Sequence, residues 1–268
     1  MAYYEGKRVL ITGAGAGIGA LMAEELGRRG AEVIVTARRI SAARDVVARI
    51  KEQGGRALAM RLDVSKINSI PSFRDQVHEQ AGPLDILVNN AGVVFGGEFE
   101  KVGLKEHLNT LQVNTSGLVA MTHAFMDDLI HSREANLVNI SSASAFVGLP
   151  YGSTYAASKW AVLGFSDSLR LELRERGIRN VRVTTVCPSY INTGMFEGVR
   201  SPLFSPMLSP QKVVRSILRA TRRGEALVRQ PAMVRSIDLF RALPGPIWDE
   251  LSLRTGIATS MKSWKGKH

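Results

Sequence analysis

The sequence predicts an α/β fold in which one doubly wound parallel sheet is flanked by helices on both faces. Short apolar runs, typical of buried strands, alternate with helical patterns from one end of the chain to the other. A glycine-rich turn lies at the first strand–helix junction, at residues 12–19, as in sheets of the Rossmann type. Since no linker, repeat or low-complexity tract interrupts the alternation, residues 1–268 are expected to form a single domain.

Each strand is predicted from a run of aliphatic and β-branched residues, which suit a sheet buried on both faces. The run that ends at Cys187 is stopped by Pro188, because proline lacks the backbone N–H that a further ladder bond needs. The seven predicted strands cover residues 8–12, 32–36, 56–63, 84–88, 136–140, 181–187 and 226–229.

Helices are predicted where apolar residues recur three and four positions apart, as Met22 and Leu26 do in the first helix. Gly54 ends the second helix, and Pro71 is tolerated in the first turn of the third. Residues 189–210 are expected to form a mobile loop over a site. The predicted helices cover residues 20–29, 41–53, 68–80, 104–131, 154–176 and 211–222.

Composition is that of an ordinary globular protein, with 45% hydrophobic and 22% charged residues. The one cysteine excludes an internal disulfide, and no apolar run approaches the ~18 residues that a membrane span needs. No signal peptide is recognisable, so the expected location is the cytoplasm. No metal site is predicted.

The net charge of +11 is concentrated near the C-terminus. Residues 200–268 contain 13 Lys and Arg against 4 Asp and Glu, a net charge of +9, whereas residues 1–199 carry +2. The extension at residues 230–268 is both basic and partly apolar, which is compatible with peripheral contact to an anionic membrane. Its apolar side chains would alternatively close a pocket or a subunit interface. They are Met233, Val234, Ile237, Phe240, Leu243, Ile247, Trp248 and Leu251.

The glycine-rich turn predicts a dinucleotide site. Glycine lets the backbone approach a pyrophosphate closely, and the following helix offers free N–H groups and a favourable dipole. The predicted contacts are Gly13, Gly15, Ala16, Gly17, Ile18 and Gly19.

The end of the second strand indicates which dinucleotide is preferred. An acidic residue usually lies there to bind the ribose 2′-hydroxyl of NAD, but this chain has Arg38 and Arg39. A guanidinium group suits a 2′-phosphate, so NADP(H) is predicted over NAD(H), which stays an alternative. The two arginines would otherwise simply begin a solvated helix.

Two further strand ends carry candidate cofactor contacts. Asp63, followed by Val64, would accept a hydrogen bond from an adenine amino group or would cap the next helix, and the sequence does not separate the two. After the fourth strand, small and amide residues allow a ligand to come close. They are Asn90, Ala91 and Gly92.

Tyr155 and Lys159 form the candidate catalytic pair. Four residues apart on a helix, their side chains share one face, and an ammonium near a phenol lowers the pKa of that phenol. A tyrosine tuned in this way can exchange a proton with a carbonyl or alcohol oxygen. Ser142, just after the fifth strand, would hydrogen-bond the same oxygen. By itself a tyrosine–lysine pair is weak evidence, because it recurs by chance.

Taken together, these motifs resemble the short-chain dehydrogenase/reductase family, over roughly residues 7–195. One departure is Ser189, which follows Pro188 where the family often has glycine. The features that carry the resemblance are Thr12-Gly13-x-x-x-Gly17-x-Gly19, Asn89-Asn90-Ala91-Gly92, Asn114, Ser142 and Tyr155-x-x-x-Lys159.

The resemblance implies an NAD(P)-binding domain with defined catalytic roles. Tyr155 would be the general acid/base, and Lys159 would lower its pKa and hold the nicotinamide ribose. Ser142 would polarise the carbonyl, and Asn114 would hold a water that links Lys159 to solvent. The residues expected beside the nicotinamide are Pro188, Ile191 and Thr193.

A narrower resemblance concerns residues 192–198 and 261–266, which look like the retinol and hydroxysteroid dehydrogenase branch of the family. That branch acts on bulky lipophilic alcohols, and several members lie on membranes. The resemblance also implies a homodimer or homotetramer, joined through the helices that carry Asn114 and Tyr155.

The expected function is an NADP(H)-preferring oxidoreductase that interconverts an alcohol and its carbonyl on a lipophilic substrate. A reductase of oxoacyl chains on an acyl carrier protein is one alternative. A non-catalytic NADP-binding sensor or scaffold is another, since fold does not determine function. Nucleic-acid binding is not expected, because no aromatic-interleaved basic motif accompanies the charge.

Overall fold

The computed structural model describes residues 3–199, 206–237, 241, 243–256 and 259–266. A seven-stranded parallel sheet has the strand order β3-β2-β1-β4-β5-β6-β7. The strands are β1 (Arg8–Ile11), β2 (Glu32–Ala37), β3 (Arg56–Arg61), β4 (Ile86–Asn89), β5 (Ala135–Ile140), β6 (Val181–Pro188) and β7 (Leu227–Gln230). The predicted doubly wound parallel sheet is therefore confirmed.

The helices of the described residues connect these strands and cover both faces of the sheet. They are α1 (Gly17–Arg28), α2 (Ile40–Glu52), α3 (Ile70–Gln80), α4 (Leu104–Leu111), α5 (Gly117–His131), α6 (Ser153–Glu175), α7 (Pro210–Arg223) and α8 (Gly245–Arg254). One buried apolar cluster packs α1, α2 and α7 on one face, and a second packs α3 and α5 on the other.

The strand order reverses direction between β1 and β4. In open α/β sheets a crevice forms at such a point beside the carboxyl ends of the strands. The glycine turn follows β1, Asn90 follows β4 and Ser142 follows β5, so the motifs of three separate chain regions lie along one edge of the sheet.

The single long helix predicted over residues 104–131 is interrupted. A π-helical turn, Gln112–Ser116, separates α4 from α5 and carries Asn114. A wider turn presents a side chain differently from an α-helix, and such turns often lie at functional sites.

The C-terminal extension is only partly exposed. Val234 and Met261 are buried, whereas Ile247 and Leu253 on α8 are 55% and 56% exposed. No helix among the described residues has the length and apolar character to cross a membrane. Membrane contact stays a prediction. Phe240 and residues 200–205 of the predicted mobile loop lie outside the described residues.

Candidate active site

The glycine turn is packed too closely for side chains. A Cβ on Gly13, whose φ is +65°, would lie 2.8 Å from the Cα of Ala91. A Cβ on Gly15 would lie 2.9 Å from the Cβ of Ala42, and one on Gly19 would lie 2.5 Å from Nδ2 of Asn90. The turn therefore presents bare backbone to the crevice.

The start of α1 suits an anion. Gly17 begins the helix with φ +59°, and the residue before it, Ala16, provides no side-chain cap for the first N–H groups. Ile18 is partly buried and packs against the core. A glycine cradle with uncapped N–H groups fits a dinucleotide pyrophosphate.

Asn90 fixes the shape of the turn. Its Nδ2 donates to the backbone oxygens of Thr12 (2.9 Å) and Gly13 (3.1 Å). In return, Oγ1 of Thr12 accepts hydrogen bonds from the backbone N–H groups of Asn90 (2.9 Å) and Ala91 (3.0 Å). The predicted ligand-contacting residue Asn90 thus holds the β1 and β4 ends together through its amide.

Arg38 and Arg39 follow β2 directly and are exposed. In the described part of the chain, neither guanidinium group has an ion pair or a side-chain hydrogen bond. Arg61, at the end of β3, is the register partner of Ala37 and lies at the same edge. The sequence prediction missed Arg61, because its proximity depends on how β3 pairs with β2.

Asp63 caps a local turn. Its Oδ1 accepts hydrogen bonds from the backbone N–H (3.1 Å) and the hydroxyl (2.7 Å) of Ser65. The residue before the following short 3₁₀ helix is Lys66, so Asp63 does not cap that helix. Val64 is buried, and its backbone oxygen packs against the start of α5 at Gly117.

Tyr155 and Lys159 lie together beside the end of β5. Both are buried, with 6% and 4% of their surface exposed. Nζ of Lys159 lies 5.6 Å from the centroid of the Tyr155 ring and donates to the backbone oxygen of Ile140 (2.9 Å). Oγ of Ser142 accepts a hydrogen bond from the backbone N–H of Ser144 (3.2 Å). The Ser142 side chain also forms a hydrogen bond with Tyr155.

The pKa of Tyr155 does not shift in the direction predicted from the sequence. Burial raises the pKa of Tyr155 above its ordinary value, and the hydrogen bond with Ser142 only partly opposes this. The net shift of this pKa is therefore upward, opposite to the decrease that the tyrosine–lysine pair predicted. Burial also lowers the pKa of Lys159 to about 8, because desolvation disfavours the ammonium form.

Asn114 lies next to Lys159. Its Oδ1 accepts from the backbone N–H of Val93 (2.8 Å), and its Nδ2 donates to the backbone oxygen of Val93 (2.9 Å) and to the hydroxyl of Ser158 (3.0 Å). A Cβ on Gly92 would lie 3.4 Å from Oδ1 of Asn114 and 3.6 Å from Nζ of Lys159. The predicted water between Asn114 and Lys159 stays a prediction.

The chain after β6 returns to the glycine turn. Pro188 is the last residue of β6, one position beyond the predicted end, and the backbone N–H of Ser189 donates to the backbone oxygen of Gln230 (2.7 Å). Ile191 is buried and forms an isolated bridge with the segment before α7. A Cβ on Gly17 would lie 3.7 Å from the Cβ of Thr193, so Thr193 borders the start of α1.

An apolar cluster surrounds Tyr155, and it was predicted only in part, since Tyr190 and Phe196 lie in the 189–210 loop that was expected over the site. Phe196 contacts the rings of both Tyr155 (centroids 6.0 Å apart) and Tyr190 (5.1 Å). Periodicity gave no signal, because the members come from four distant chain regions. The buried members are Val94, Leu149, Tyr155, Ala156, Tyr190 and Met261.

The family comparison agrees with this geometry. The family model for short chain dehydrogenases matches residues 7–203. Together with the sheet and the site, this match shows that the chain belongs to the short-chain dehydrogenase/reductase family. It is an NAD(P)-dependent oxidoreductase, as its dehydrogenase-named relatives also indicate.

The relatives place the chain in the retinol and hydroxysteroid branch. Mouse (Mus musculus) epidermal retinol dehydrogenase 2 is 32% identical over 94% of this chain and 80% of its own length. Rat (Rattus norvegicus) estradiol 17-beta-dehydrogenase 11 is 28% identical over 94% of this chain and 85% of its own length. The ketoacyl reductase HetN of a Nostoc species is 29% identical, over 92% and 87%.

Two solved structures share the architecture. A short-chain dehydrogenase/reductase from Burkholderia phymatum, in complex with NAD, has a TM-score of 0.82 at 22% identity, over 96% of this chain and 98% of the other. At that identity the likeness shows the fold. A metagenomic short-chain oxidoreductase in complex with NADP has a TM-score of 0.71 at 32% identity, over 84% and 97%.

We expect the buried ammonium of Lys159 to make stability depend on pH. Because its folded pKa of about 8 lies below the ordinary lysine value of 10.5, the unfolded chain binds the extra proton between these values. Stability should therefore rise with pH in this window. Relative to Lys159→Met, the wild-type free energy of unfolding should increase by about 2 kcal/mol between about pH 7 and about pH 9.5, measured by urea denaturation.

Tyr155 and Cys187 have raised pKa values and titrate in the opposite sense, but they are present in both proteins. The charge of Lys159 lowers the pKa of Cys187, so the change in that pKa is the part that remains in the difference. The exposed Lys51 provides the control, since Lys51→Met should keep the wild-type pH dependence. An identical pH dependence in wild type and Lys159→Met would refute the assignment.

Proposed function

We propose that this chain is an NADP(H)-preferring oxidoreductase that interconverts an alcohol and its carbonyl on a lipophilic substrate. The observation that carries the proposal is the convergence of Tyr155, Ser142 and Lys159 at the edge of the sheet that also holds the glycine cradle. The bound cofactor supplies the hydride chemistry, and the chain supplies orientation and proton transfer.

Tyr155 is the proposed proton donor and acceptor at the substrate oxygen. Its hydroxyl interacts with Ser142, which is thereby positioned to hydrogen-bond the same oxygen. Lys159 places a positive charge next to the ring and favours the phenolate when the proton leaves. Asn114 lies beside Lys159 and the backbone of Val93, where it supports the return of the proton from solvent.

The cofactor preference rests on Arg38 and Arg39. Two guanidinium groups without an ion pair in the described part of the chain lie at the end of β2, with Arg61 at the same edge, and they favour a 2′-phosphate over a bare 2′-hydroxyl. The two solved structures contain NAD in one case and NADP in the other. Arginine chemistry therefore supports NADP(H), with NAD(H) as the alternative.

The apolar cluster around Tyr155 supports a lipophilic substrate, as do the names of the retinol and estradiol dehydrogenases. A steroid, retinoid or fatty alcohol or aldehyde would match its chemistry. One observation favours the second candidate, a 3-oxoacyl reductase, because the similar Nostoc protein is named a ketoacyl reductase.

Removing the phenol tests the proposed reaction. Tyr155→Phe should lower kcat by at least about 100-fold, because the hydroxyl of Ser142 is too weak an acid to replace the phenol. The Kd for NADPH, measured by fluorescence titration, should stay within about threefold, since the phenol is not needed to bind the phosphates. Tyr3→Phe, remote from the site, should keep wild-type turnover. A Tyr155→Phe enzyme that keeps a tenth of the rate would refute the role.

Removing one guanidinium tests the cofactor preference. Arg38→Ala should raise the Kd for NADPH by about tenfold or more, as expected for a charge-assisted phosphate contact, and change that for NADH by less than about threefold. Arg44→Ala removes an equal charge from the exposed side of α2 and should affect neither cofactor. Equal weakening of both cofactors by Arg38→Ala would contradict the 2′-phosphate contact.

We also propose that two copies associate through α4 and α6. Leu104, Leu108 and Leu111 form an exposed apolar stripe at helical spacing on α4, and Leu171 on α6 is 55% exposed. Analytical ultracentrifugation should give a molecular mass that is a multiple of 29.2 kDa for the wild type and the monomer mass of 29.2 kDa for Leu104→Lys/Leu108→Lys. Leu253→Lys on α8 serves as the control, and a monomeric wild type would defeat the proposal.

A further inference from the structure

A short segment near the end of the chain lies on the loop that follows β6. Nε1 of Trp264 donates to the backbone oxygen of Met195 (3.1 Å), and Oγ of Ser263 donates to that of Gly198 (2.7 Å). The backbone N–H of Lys265 donates to the backbone oxygen of residue 197 (2.8 Å). We call residues 259–266 the C-terminal cover.

The other end of the C-terminal cover is attached inside the site. The hydroxyls of Ser260 and Tyr190 lie 2.7 Å apart, and both residues are buried. These attachments are hydrogen bonds between loops, and no strand or helix of the described residues continues across them. Because they are not ladder bonds of the sheet, the segment can separate from the loop without unfolding the sheet.

Two side chains of the cover form one wall of the cluster around Tyr155. Met261 is 1% exposed and packs with Tyr155 and Tyr190, and Trp264 packs on the same cluster. Gly96, from the loop after β4, makes room for both, since its Cβ would lie 3.0 Å from Cε of Met261 and from Cε3 of Trp264. The cover thus joins the loops after β4 and β6 above the reacting tyrosine.

A substrate oxygen has to reach the hydroxyl of Tyr155, a residue of which only 6% is exposed. Displacing the cover would expose the apolar faces of Tyr190, Phe196 and Leu149 to water, which is unfavourable. A substrate with an apolar body restores that burial, whereas a small polar carbonyl does not.

We propose that the C-terminal cover controls access to Tyr155, and that Met261 and Trp264 are specificity-determining residues that select substrates with a long or bulky apolar body. The inference rests on the proposed function, because it concerns substrates of the same site. Each methylene that the cover and its cluster bury should raise kcat/KM by about fourfold.

The test compares propanal and decanal as substrates with NADPH. Deleting residues 260–268 should lower the ratio of kcat/KM for decanal to that for propanal by at least about tenfold, since several methylenes lose their apolar wall. Met261→Ala should lower the ratio in the same direction. A decanal-to-propanal ratio of kcat/KM that stays at the wild-type value would overturn the proposal, even if both rates fall together.

Gly198→Ala tests the docking of the cover with the chain at full length. Gly198 has φ +81°, and a Cβ there would clash with the backbone oxygen of Ser263. Gly194→Ala is the matched control, because Gly194 has φ +84° but nothing lies within 4 Å of its Cβ position. Gly198→Ala should lower the decanal-to-propanal ratio, whereas Gly194→Ala should keep it. If the truncated chain fails to fold, this pair alone decides.

Fluorescence separates failure of the cover from failure of the proposed function. In Trp160→Phe/Trp248→Phe, Trp264 is the one remaining tryptophan of the three. Acrylamide should quench it at least about twofold more strongly after Gly198→Ala, whereas Gly194→Ala should keep the quenching of the parent protein. A wild type that reduces neither aldehyde would contradict fatty aldehydes as substrates in the proposed function, and quenching would then decide on the cover. Unchanged quenching after Gly198→Ala would overturn the proposal that the C-terminal cover controls access to Tyr155.

Discussion

A buried lysine beside a buried tyrosine is the constraint on which the site depends. The sheet and α6 surround Lys159 so fully that its pKa falls to about 8, yet the ammonium form still prevails at neutral pH. One backbone oxygen, that of Ile140 at the end of β5, accepts its hydrogen bond. A charge in such a place costs stability, and it is useful where a positive charge is needed next to a reacting oxygen.

The irregular turn at Asn114 follows from the same constraint. An asparagine inside a regular helix competes with the backbone for hydrogen bonds. Here the helix widens over Gln112–Ser116, and the Asn114 side chain bonds Val93 and Ser158 instead. This ties the loop after β4 to α6, so the helix that carries Tyr155 and Lys159 keeps a fixed position relative to the glycine turn.

The end of the chain has two different parts. Met261 and Trp264 pack into the cluster around Tyr155, whereas Ile247 and Leu253 on α8 face outwards. The sequence showed a basic, partly apolar extension but not this division. Both parts have similar composition, and only their contacts distinguish a side chain that completes the site from one that remains exposed.

The fold and the chemical groups followed from local patterns, because strand periodicity, a glycine turn and a tyrosine–lysine pair on one helix face are all short-range features. Tertiary structure decided what depends on distant residues. Pairing of β3 with β2 brought Arg61 to the edge that carries Arg38. Burial, which is a property of the whole fold, raised the pKa of Tyr155 where the local pair alone predicted a decrease. The position of Met261 depends on contacts with residues about a hundred positions earlier in the chain, which no local pattern contains.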